Sequence, residues 1–215
     1  MRISTFVLAL LLLGCANPAE KSTQPQTTET TIPDFIKARA DSFIVSEVGP
    51  AFFSAYIALD PARSRFNAPD TFCIAHPTSC LEYLRHPHYL MVYSFAIPEK
   101  PWINELIEFA VDSLGFVILE RPPYGIPGCV ADSSSCTFSI DSSDAISIAL
   151  QAGLESGIKP WQAGFFWSDG NYNTYVWAVS NTMAETPTGS SGRAVIIDSN
   201  SGAVYEIGEW QATPD

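Results

Sequence analysis

Residues 194–204 read AVIIDSNSGAV, and this stretch decides the fold because an apolar run reaches Asp198, turns through Gly202 and becomes apolar again. An aspartate at such a place accepts backbone N–H bonds, and glycine tolerates the positive φ that a tight turn needs. Residues 110–117, AVDSLGFV, have the same layout. Both stretches predict an antiparallel hairpin, and for Asp198 and Gly202 we favour turn chemistry without a ligand.

An alternating aromatic strand precedes each of these turns by the same distance. Tyr89 stands 23 residues before Asp112, and Tyr175 stands 23 residues before Asp198, so the two pairs are offset by 86 residues. Large residues occupy the odd positions of both strands, which is typical of a strand with one buried face. The shared spacing indicates a tandem repeat, with a chance match of two landmarks as the alternative.

Helical spacing of apolar residues predicts one helix ahead of each aromatic strand. The first helix is expected to start at an N-cap, Asp34, and to break at Gly49 and the proline that follows it. The second is expected to be capped by Ser142 or Ser143 and to end near Gly153.

Three motifs of the second half occur together: the Ala-rich helix DAISIA at 144–149, the aromatic strand YVWAV at 175–179, and the closing hairpin at 194–204. Together they resemble the PepSY domain over residues 143–210. The Thr-, Ser- and Gly-rich segment 181–193 departs from a minimal PepSY domain and is expected to lengthen a loop. The resemblance implies a non-catalytic binding or regulatory module, as in metallopeptidase propeptides that inhibit the enzyme or assist its folding.

We therefore predict an α+β fold of two tandem PepSY-like units, residues 34–128 and 129–215, each a helix packed on an antiparallel sheet. The expected function is binding of a protein or peptide partner, with strand addition at a sheet edge as the mode. Two alternatives stay open. One is a secreted hydrolase or metal-dependent enzyme without a recognisable motif, and the other is a protein that binds a small envelope ligand.

The first residues of the chain predict export and lipid attachment. Arg2 precedes an apolar run over residues 6–13, which is shorter than the roughly 20 residues that span a bilayer. LLGC at residues 12–15 resembles the lipobox of bacterial lipoproteins. That resemblance implies removal of residues 1–14 and a membrane partner reached through lipid on Cys15.

A polar segment separates the lipobox from the first helix. Residues 16–33 are rich in Thr, Gln, Pro and Glu, so residues 15–33 are expected to form a lipidated, disordered tether. The whole chain also resembles uncharacterised envelope lipoproteins of the Bacteroidota type. Ala16, by resemblance to lipoprotein sorting signals, implies an outer-membrane destination in the cell envelope.

Four further cysteines form two closely spaced pairs in an exported chain. An even number of cysteines in an oxidising compartment favours disulfides, and short loops favour the local pairings Cys73 with Cys80 and Cys129 with Cys136. A zinc site is the alternative, but CxxC spacing is absent.

The charge balance of the chain argues against one class of partner. The 215 residues include 23 Asp and Glu against 11 Lys and Arg, for a formal net charge of −12. Without a basic cluster, such a chain offers no electrostatic surface for phosphates, so we expect no nucleic-acid partner.

Aromatic residues are concentrated in the second half of the chain. An exposed strip for peptide or glycan and a packed core are the two interpretations of this cluster. The candidate binding residues are Trp161, Trp167, Tyr172 and Trp177.

The sequence holds no recognisable active site. It has no GxSxG, HExxH, P-loop or GxGxxG motif, so we predict no catalytic residue, cofactor or metal. Glu105 and Glu108 could act as an acid–base pair only if buried opposite one another, and solvated faces are the favoured interpretation. We interpret His86 and His88 as solvated loop residues rather than metal ligands, and residues 189–192, GSSG, as a flexible hairpin loop.

Overall fold

The computed structural model describes residues 32–170 and 172–213. Cys15, residues 1–14 and most of the predicted tether lie outside this range. In the described residues, helices pack on two antiparallel sheets, so the α+β prediction is confirmed. None of the helices described combines the length and the apolarity that a membrane span requires.

The N-terminal sheet is organised around one central strand. Strand β3 pairs with β1 and β2 along one side and with β4 along the other, always antiparallel. The elements in chain order are α1 (Asp34–Val48), α2 (Pro50–Tyr56), β1 (Ile57–Leu59), β2 (Arg65–Asn67), α3 (Thr71–Ala75), β3 (His88–Ile97) and β4 (Lys100–Asp112). Short 3-10 turns span Pro77–Ser79 and Glu82–Arg85.

Helix α1 covers the face of this sheet that the odd-numbered residues of β3 and β4 form. Ile36, Ala40 and Ile44 are fully buried on α1 and share a core with Tyr93 of β3 and Phe109 of β4. The four-residue spacing of those α1 residues is what places them on one face of a helix. The predicted helix is confirmed, except that it begins at Asp34 itself, with Pro33 at the N-cap.

The N-terminal hairpin differs from its prediction after the turn. Residues 116–119, expected as a strand, make only an isolated bridge between Val117 and Val111, and Tyr124 makes another with Glu108. The reason is the sequence RPPYGIP at 121–127, because its three prolines have no N–H to donate to a ladder.

The C-terminal sheet has the strand order β5, β6, β8, β9, all antiparallel, with β7 beside the first residues of β8. A 3-10 turn spans Ser133–Cys136. Helix α4 packs on the face of the sheet that the odd-numbered residues of β6 and β8 form. The elements are α4 (Ser142–Gln151), β5 (Gln162–Ser168), β6 (Thr174–Ser180), β7 (Ala184–Thr186), β8 (Gly189–Asp198) and β9 (Val204–Ala212).

Two local predictions in this half are wrong. The N-cap of α4 is Asp141, not a serine, because its carboxylate accepts hydrogen bonds from the backbone N–H groups of Ser143 and Asp144. Segment 181–193 is not a simple loop, since it forms β7 and the start of β8. The GSSG sequence at 189–192 therefore belongs to a strand, where Gly192 allows the carbonyl oxygen of Asn181 to approach closely.

An aromatic junction joins the two halves. Phe138, in the connection between them, is fully buried, and its ring lies 5.7 Å from Phe95 of the first sheet and 5.7 Å from Tyr175 of the second. Its backbone is also held, because Lys100 Nζ donates to the Phe138 carbonyl at 2.8 Å. The two sheets therefore share one buried core.

Candidate functional site

Strand β9 is a long sheet edge whose outer side is not used within the described residues. It pairs with β8 along one side, and no other strand of residues 32–170 and 172–213 pairs with the opposite side. All nine residues are exposed or half-buried, with Val204 and Ile207 at 40% and 41% exposure. A free edge presents a row of unpaired backbone N–H and C=O groups.

The opposite edge of the same sheet is covered. Strand β5 lies against β4 of the N-terminal half. Trp167 of β5 is buried, with its ring 6.4 Å from that of Tyr124. Of the two outermost long strands of this sheet, β5 is therefore covered at its Trp167 end, whereas the outer backbone groups of β9 are open within the described residues.

The two faces of β9 differ in chemistry. Ile207 lies opposite Val195, a fully buried residue on the face that α4 covers, so Ile207 extends this apolar face beyond the helix. Glu206 lies opposite Ile196 on the other face and accepts a hydrogen bond from the Tyr172 hydroxyl at 3.3 Å. Near the turn, an added strand would therefore meet Val204 and Ile207 on one face and Glu206 on the other, whereas Glu209 lies further along on the same face as Ile207.

The Asp198 turn fixes the start of β9. Asp198 is 7% exposed, and its Oδ1 accepts from the backbone N–H of Ser201 at 2.7 Å and of Asn200 at 3.1 Å. Its Oδ2 accepts from the Tyr205 hydroxyl at 2.6 Å. The ladder register shifts beside Ile196 and leaves Tyr205 as an extra residue, a β-bulge that aims its ring back at the turn.

These contacts set the protonation of the turn. Burial alone would raise the pKa of Asp198, but hydrogen bonds from Tyr205, Ser201 and Asn200 outweigh burial and lower the pKa below its usual value. Burial, and then the hydrogen bond to Asp198, raises the pKa of Tyr205 to about 12. The turn therefore holds a charged carboxylate beside a neutral phenol, an arrangement that stabilises the hairpin.

Two cavities flank β9. A cavity of about 280 Å³ opens at its C-terminal end, where Arg193 and Glu209 face each other across the ladder and Trp210 Nε1 donates to the Asn181 carbonyl at 2.9 Å. A second cavity, of about 570 Å³, lies between the loop 128–137 and the Asp198 turn. We call the first the end cavity and the second the turn cavity.

The four aromatic residues predicted as a binding surface do not form one. Trp167 and Trp177 are 7% and 2% exposed, and Trp177 Nε1 donates to the Ile140 carbonyl at 2.9 Å. Odd positions of β5 and β6 face α4 and the junction, so the packed-core interpretation is confirmed for both residues, and their choice as binding residues is wrong. Trp161 and Tyr172 are half-buried and lie apart, the first packed on the α4 core and the second stacked on Tyr205 at 4.4 Å.

The predicted cysteine pairs are confirmed. Cys73 lies at disulfide distance from Cys80, and Cys129 from Cys136, with Cα separations of 5.5 Å and 5.4 Å. The second pair closes one wall of the turn cavity.

The histidine prediction is wrong for His88. This residue is 4% exposed on β3, where Asn67 Nδ2 donates to its Nε2 at 3.2 Å and its Nδ1 donates to the His86 carbonyl at 3.0 Å. It is buried because β2 pairs beside it. Within residues 32–170 and 172–213, no three His, Cys, Asp or Glu side chains come close enough to hold a metal ion together.

Glu105 is a residue whose environment the sequence analysis missed. It is half-buried beside the junction, opposite Phe95, and burial raises its pKa to about 7. Glu108 lies on the opposite face of β4 and is 3.6 Å from Arg121, so the two glutamates cannot act as an acid–base pair. The odd position of Glu105 in an alternating strand was the sequence feature that could have revealed its half-buried environment.

The sequence was compared with protein families and with curated proteins. No protein-family model matches this sequence, and no curated protein matches it either.

Proposed function

We propose that this chain is a non-enzymatic, lipid-anchored protein of the bacterial cell envelope whose C-terminal PepSY-like unit binds an extended segment of a partner protein along β9. The single observation that carries the proposal is that no strand of residues 32–170 and 172–213 pairs with the outer side of β9 over Val204–Ala212. In strand addition, backbone hydrogen bonds supply affinity and alternate side-chain contacts supply specificity. The anchor is the lipid on Cys15, at the outer membrane.

The two halves share features that support a tandem arrangement of related units. Each has a helix, a hairpin and an aspartate turn with a glycine at positive φ, 84° at Gly115 and 74° at Gly202. A Cβ built on Gly115 would lie 2.8 Å from Arg39 of α1, and one on Gly202 would lie 3.0 Å from Ile148 of α4. In both halves the turn therefore packs closely against the helix of the same half.

The chemistry around β9 favours a partner segment with apolar and basic residues in alternation. Ile207 and Val204 continue the apolar face beside α4, whereas Glu206 gives the other face negative charge. Side chains of an added strand point alternately to these two faces. The end cavity lies where the added strand would pass Glu209 and is large enough for one side chain.

A selection from a displayed library of random ten-residue peptides tests the proposal. Peptides are selected on the immobilised mature chain and then measured against Ile207→Lys, because a lysine on an edge strand opposes pairing with another strand. We expect the selected peptides to alternate apolar with basic residues and to bind Ile207→Lys at least tenfold more weakly than the unchanged protein.

The matched control is Ile158→Lys, which adds the same charge at a residue that is 63% exposed outside any strand. Binding should be unchanged in this variant. Equal loss of affinity in both variants, or no loss in Ile207→Lys, would contradict strand addition at β9. Mass spectrometry of the protein from its own membranes tests the anchor separately, since a lipidated Cys15 should be the first residue.

A second candidate function is the binding of a small polar ligand in the turn cavity. Its lining is rich in hydroxyl and amide groups, including Ser135, Asn173 and Asn200, and contains no Lys or Arg. Thermal-shift measurements with neutral sugars and amino acids test it, with Ser135→Trp to fill the cavity. Ser133→Trp, which adds the same bulk outside the lining, is the control. No shift with any compound would remove this candidate.

A further inference from the structure

Three large apolar side chains are exposed together at the N-terminal end of α1. Phe35, Leu114 and Phe116 are 53%, 60% and 59% exposed and surround Arg39. We call this group the α1 end patch. Soluble surfaces expose single apolar residues often, but a rigid group of them indicates a contact with another surface.

The geometry of the α1 end patch is fixed by several contacts. Arg39 Nη1 donates to the Leu114 carbonyl at 2.5 Å, and its guanidinium carbon lies 4.6 Å from the centre of the Phe116 ring. The Asp112 carboxylate accepts from the backbone N–H groups of Leu114 at 2.9 Å and Phe116 at 2.8 Å. Phe35 is one helical turn before Arg39, so it lies on the same side of α1. The turn therefore displays Leu114 and Phe116 without freedom to fold them inward.

The position of the patch along the chain points to what covers it. It lies at the first turn of α1, where the described chain continues towards the proposed anchor at Cys15. Ile32 is the seventeenth residue after Cys15, so a tether of this length reaches at most roughly 60 Å. The end of the domain at which the tether attaches is the end brought nearest to the lipid.

The local charge is mixed, because Asp34 lies in the first turn of α1 and Asp112 in the same turn as Leu114 and Phe116. The chain carries a formal net charge of −12, yet Arg39 has no carboxylate within 4.0 Å among the residues that the structure describes. Apolar residues beside an arginine are typical of segments that lie in the headgroup region, since the guanidinium can bind lipid phosphate. The acidic remainder of the domain would be repelled by an anionic membrane.

We propose that the α1 end patch rests on the bilayer surface, with Leu114 and Phe116 at the level of the lipid headgroups and Arg39 at a lipid phosphate. This contact rests on the membrane anchor of the proposed function. It orients the domain so that the anchored end of α1 faces the lipid. It is also a second, reversible membrane contact beside the acyl chains on Cys15, which alone would leave the domain free to rotate.

The test attaches an environment-sensitive nitrobenzoxadiazole dye at Leu114→Cys in a chain of residues 16–215, which lacks Cys15, so that the dye labels position 114 and not Cys15. An N-terminal hexahistidine tag replaces the lipid, so that vesicles of phosphatidylcholine with nickel-chelating lipid hold the protein whether or not Cys15 is lipidated in the cell. We expect dye emission to rise at least twofold on tethering, and lipids labelled with a quencher to quench it. Emission equal to that in solution would overturn the proposal.

The matched control carries the same dye at Phe72→Cys, because Phe72 is 58% exposed in a different apolar group on the Cys73–Cys80 loop. Its emission should not change. A response at this position equal to that at 114 would mean nonspecific adsorption, and a rise with protein concentration in the absence of vesicles would mean self-association. Both results would overturn the proposal.

A second measurement avoids the dye. The fraction of the untagged chain that sediments with the same vesicles should fall at least threefold in the double variant Leu114→Ser/Phe116→Ser. The same fraction should not fall in Phe72→Ser/Ile74→Ser. Circular dichroism establishes that each variant is folded. If the membrane contact fails while Cys15 is lipidated, the anchor of the proposed function still stands. If Cys15 carries no lipid while the dye responds, only the anchor fails.

Discussion

After Asp112 the chain leaves β4 with two isolated bridges, whereas after Asp198 it forms β9, which pairs with β8 over nearly its whole length. The two turns are built alike, from an aspartate that accepts backbone N–H bonds and a glycine at positive φ. The difference lies in the segment after each turn, because the N-terminal half continues into prolines and the C-terminal half into an alternating strand.

The segment after Asp112 is used inside the molecule. Tyr124 pairs with Glu108 of β4, and the Tyr175 hydroxyl of the second sheet donates to the Gly125 carbonyl at 2.8 Å. This segment covers one sheet edge and contacts the other half. The equivalent segment, β9, has no such internal partner on its outer side within the described residues. The N-terminal segment therefore helps to hold the two halves together, whereas β9 keeps the open edge on which the proposed function depends.

Phe138→Ala should have the largest effect, because it removes a fully buried ring that packs between the two halves. The side chain is fully buried between Phe95 and Tyr175, so its loss should lower the free energy of unfolding by about 3 to 5 kcal/mol. Urea unfolding followed by tryptophan fluorescence measures this. Ser133→Ala, at an exposed residue of the same connection, is the control, and a loss below about 1 kcal/mol for Phe138→Ala would contradict a stabilising role of this ring in the shared core.

Substituting the two turn aspartates should lower the free energy of unfolding by different amounts. Asp198→Ala removes an acceptor of several hydrogen bonds, one of them from Tyr205, at a site that is 7% exposed, so we expect a loss of about 3 kcal/mol. Asp112→Ala removes two backbone contacts at a more exposed turn and should cost about 1 kcal/mol. Thermal and urea unfolding of both variants decide the matter, and equal losses would contradict the tighter C-terminal turn.

Removing either disulfide should have similar effects in the two halves. Cys73–Cys80 and Cys129–Cys136 have the same sequence separation of 7, so the chain-entropy description gives each about 2 to 3 kcal/mol. Paired Cys→Ser variants, compared by urea unfolding, measure both. A much larger loss for Cys129–Cys136 would show that this loop also holds the shared core.

The smallest expected effect concerns Glu105 and depends on pH. Because burial raises the pKa of Glu105 to about 7, its contribution to stability is fully present below about pH 4.5 and is lost as pH rises through 7. Glu105→Gln, which stays neutral, should therefore gain on the order of 1 kcal/mol relative to the unchanged protein at pH 8, given the partial exposure of Glu105, and little at pH 5.

Urea unfolding at both pH values checks this prediction. Glu209→Gln on exposed β9 is the control for the loss of one carboxylate from the chain. A gain of the same size at pH 5 and pH 8 in Glu105→Gln would contradict a titration near pH 7 and indicate a packing effect.

Residue patterns predicted the elements that bury one face and missed the features that depend on neighbours. The odd-position aromatics of β3 and β6, the α1 helix and both aspartate turns follow from local periodicity and turn chemistry. Phe138 gave no signal, because it is a single aromatic residue in a connection whose partners come from both sheets. β7 was missed because polar residues at 184–186 show no alternation of apolar side chains. The free side of β9 depends on how the other described strands pair, which the residues of β9 do not encode.

Amide hydrogen exchange across residues 204–212 tests the central claim most directly. In the protein alone, we expect the amides of β9 that point towards β8 to be protected and the alternate, outward-pointing amides to exchange rapidly. Adding a peptide from the library selection should slow the outward-pointing set at least tenfold and leave the two bridges at Val117 and Tyr124 unchanged. Unchanged exchange across 204–212, or protection confined to another part of the chain, would contradict β9 as the binding edge.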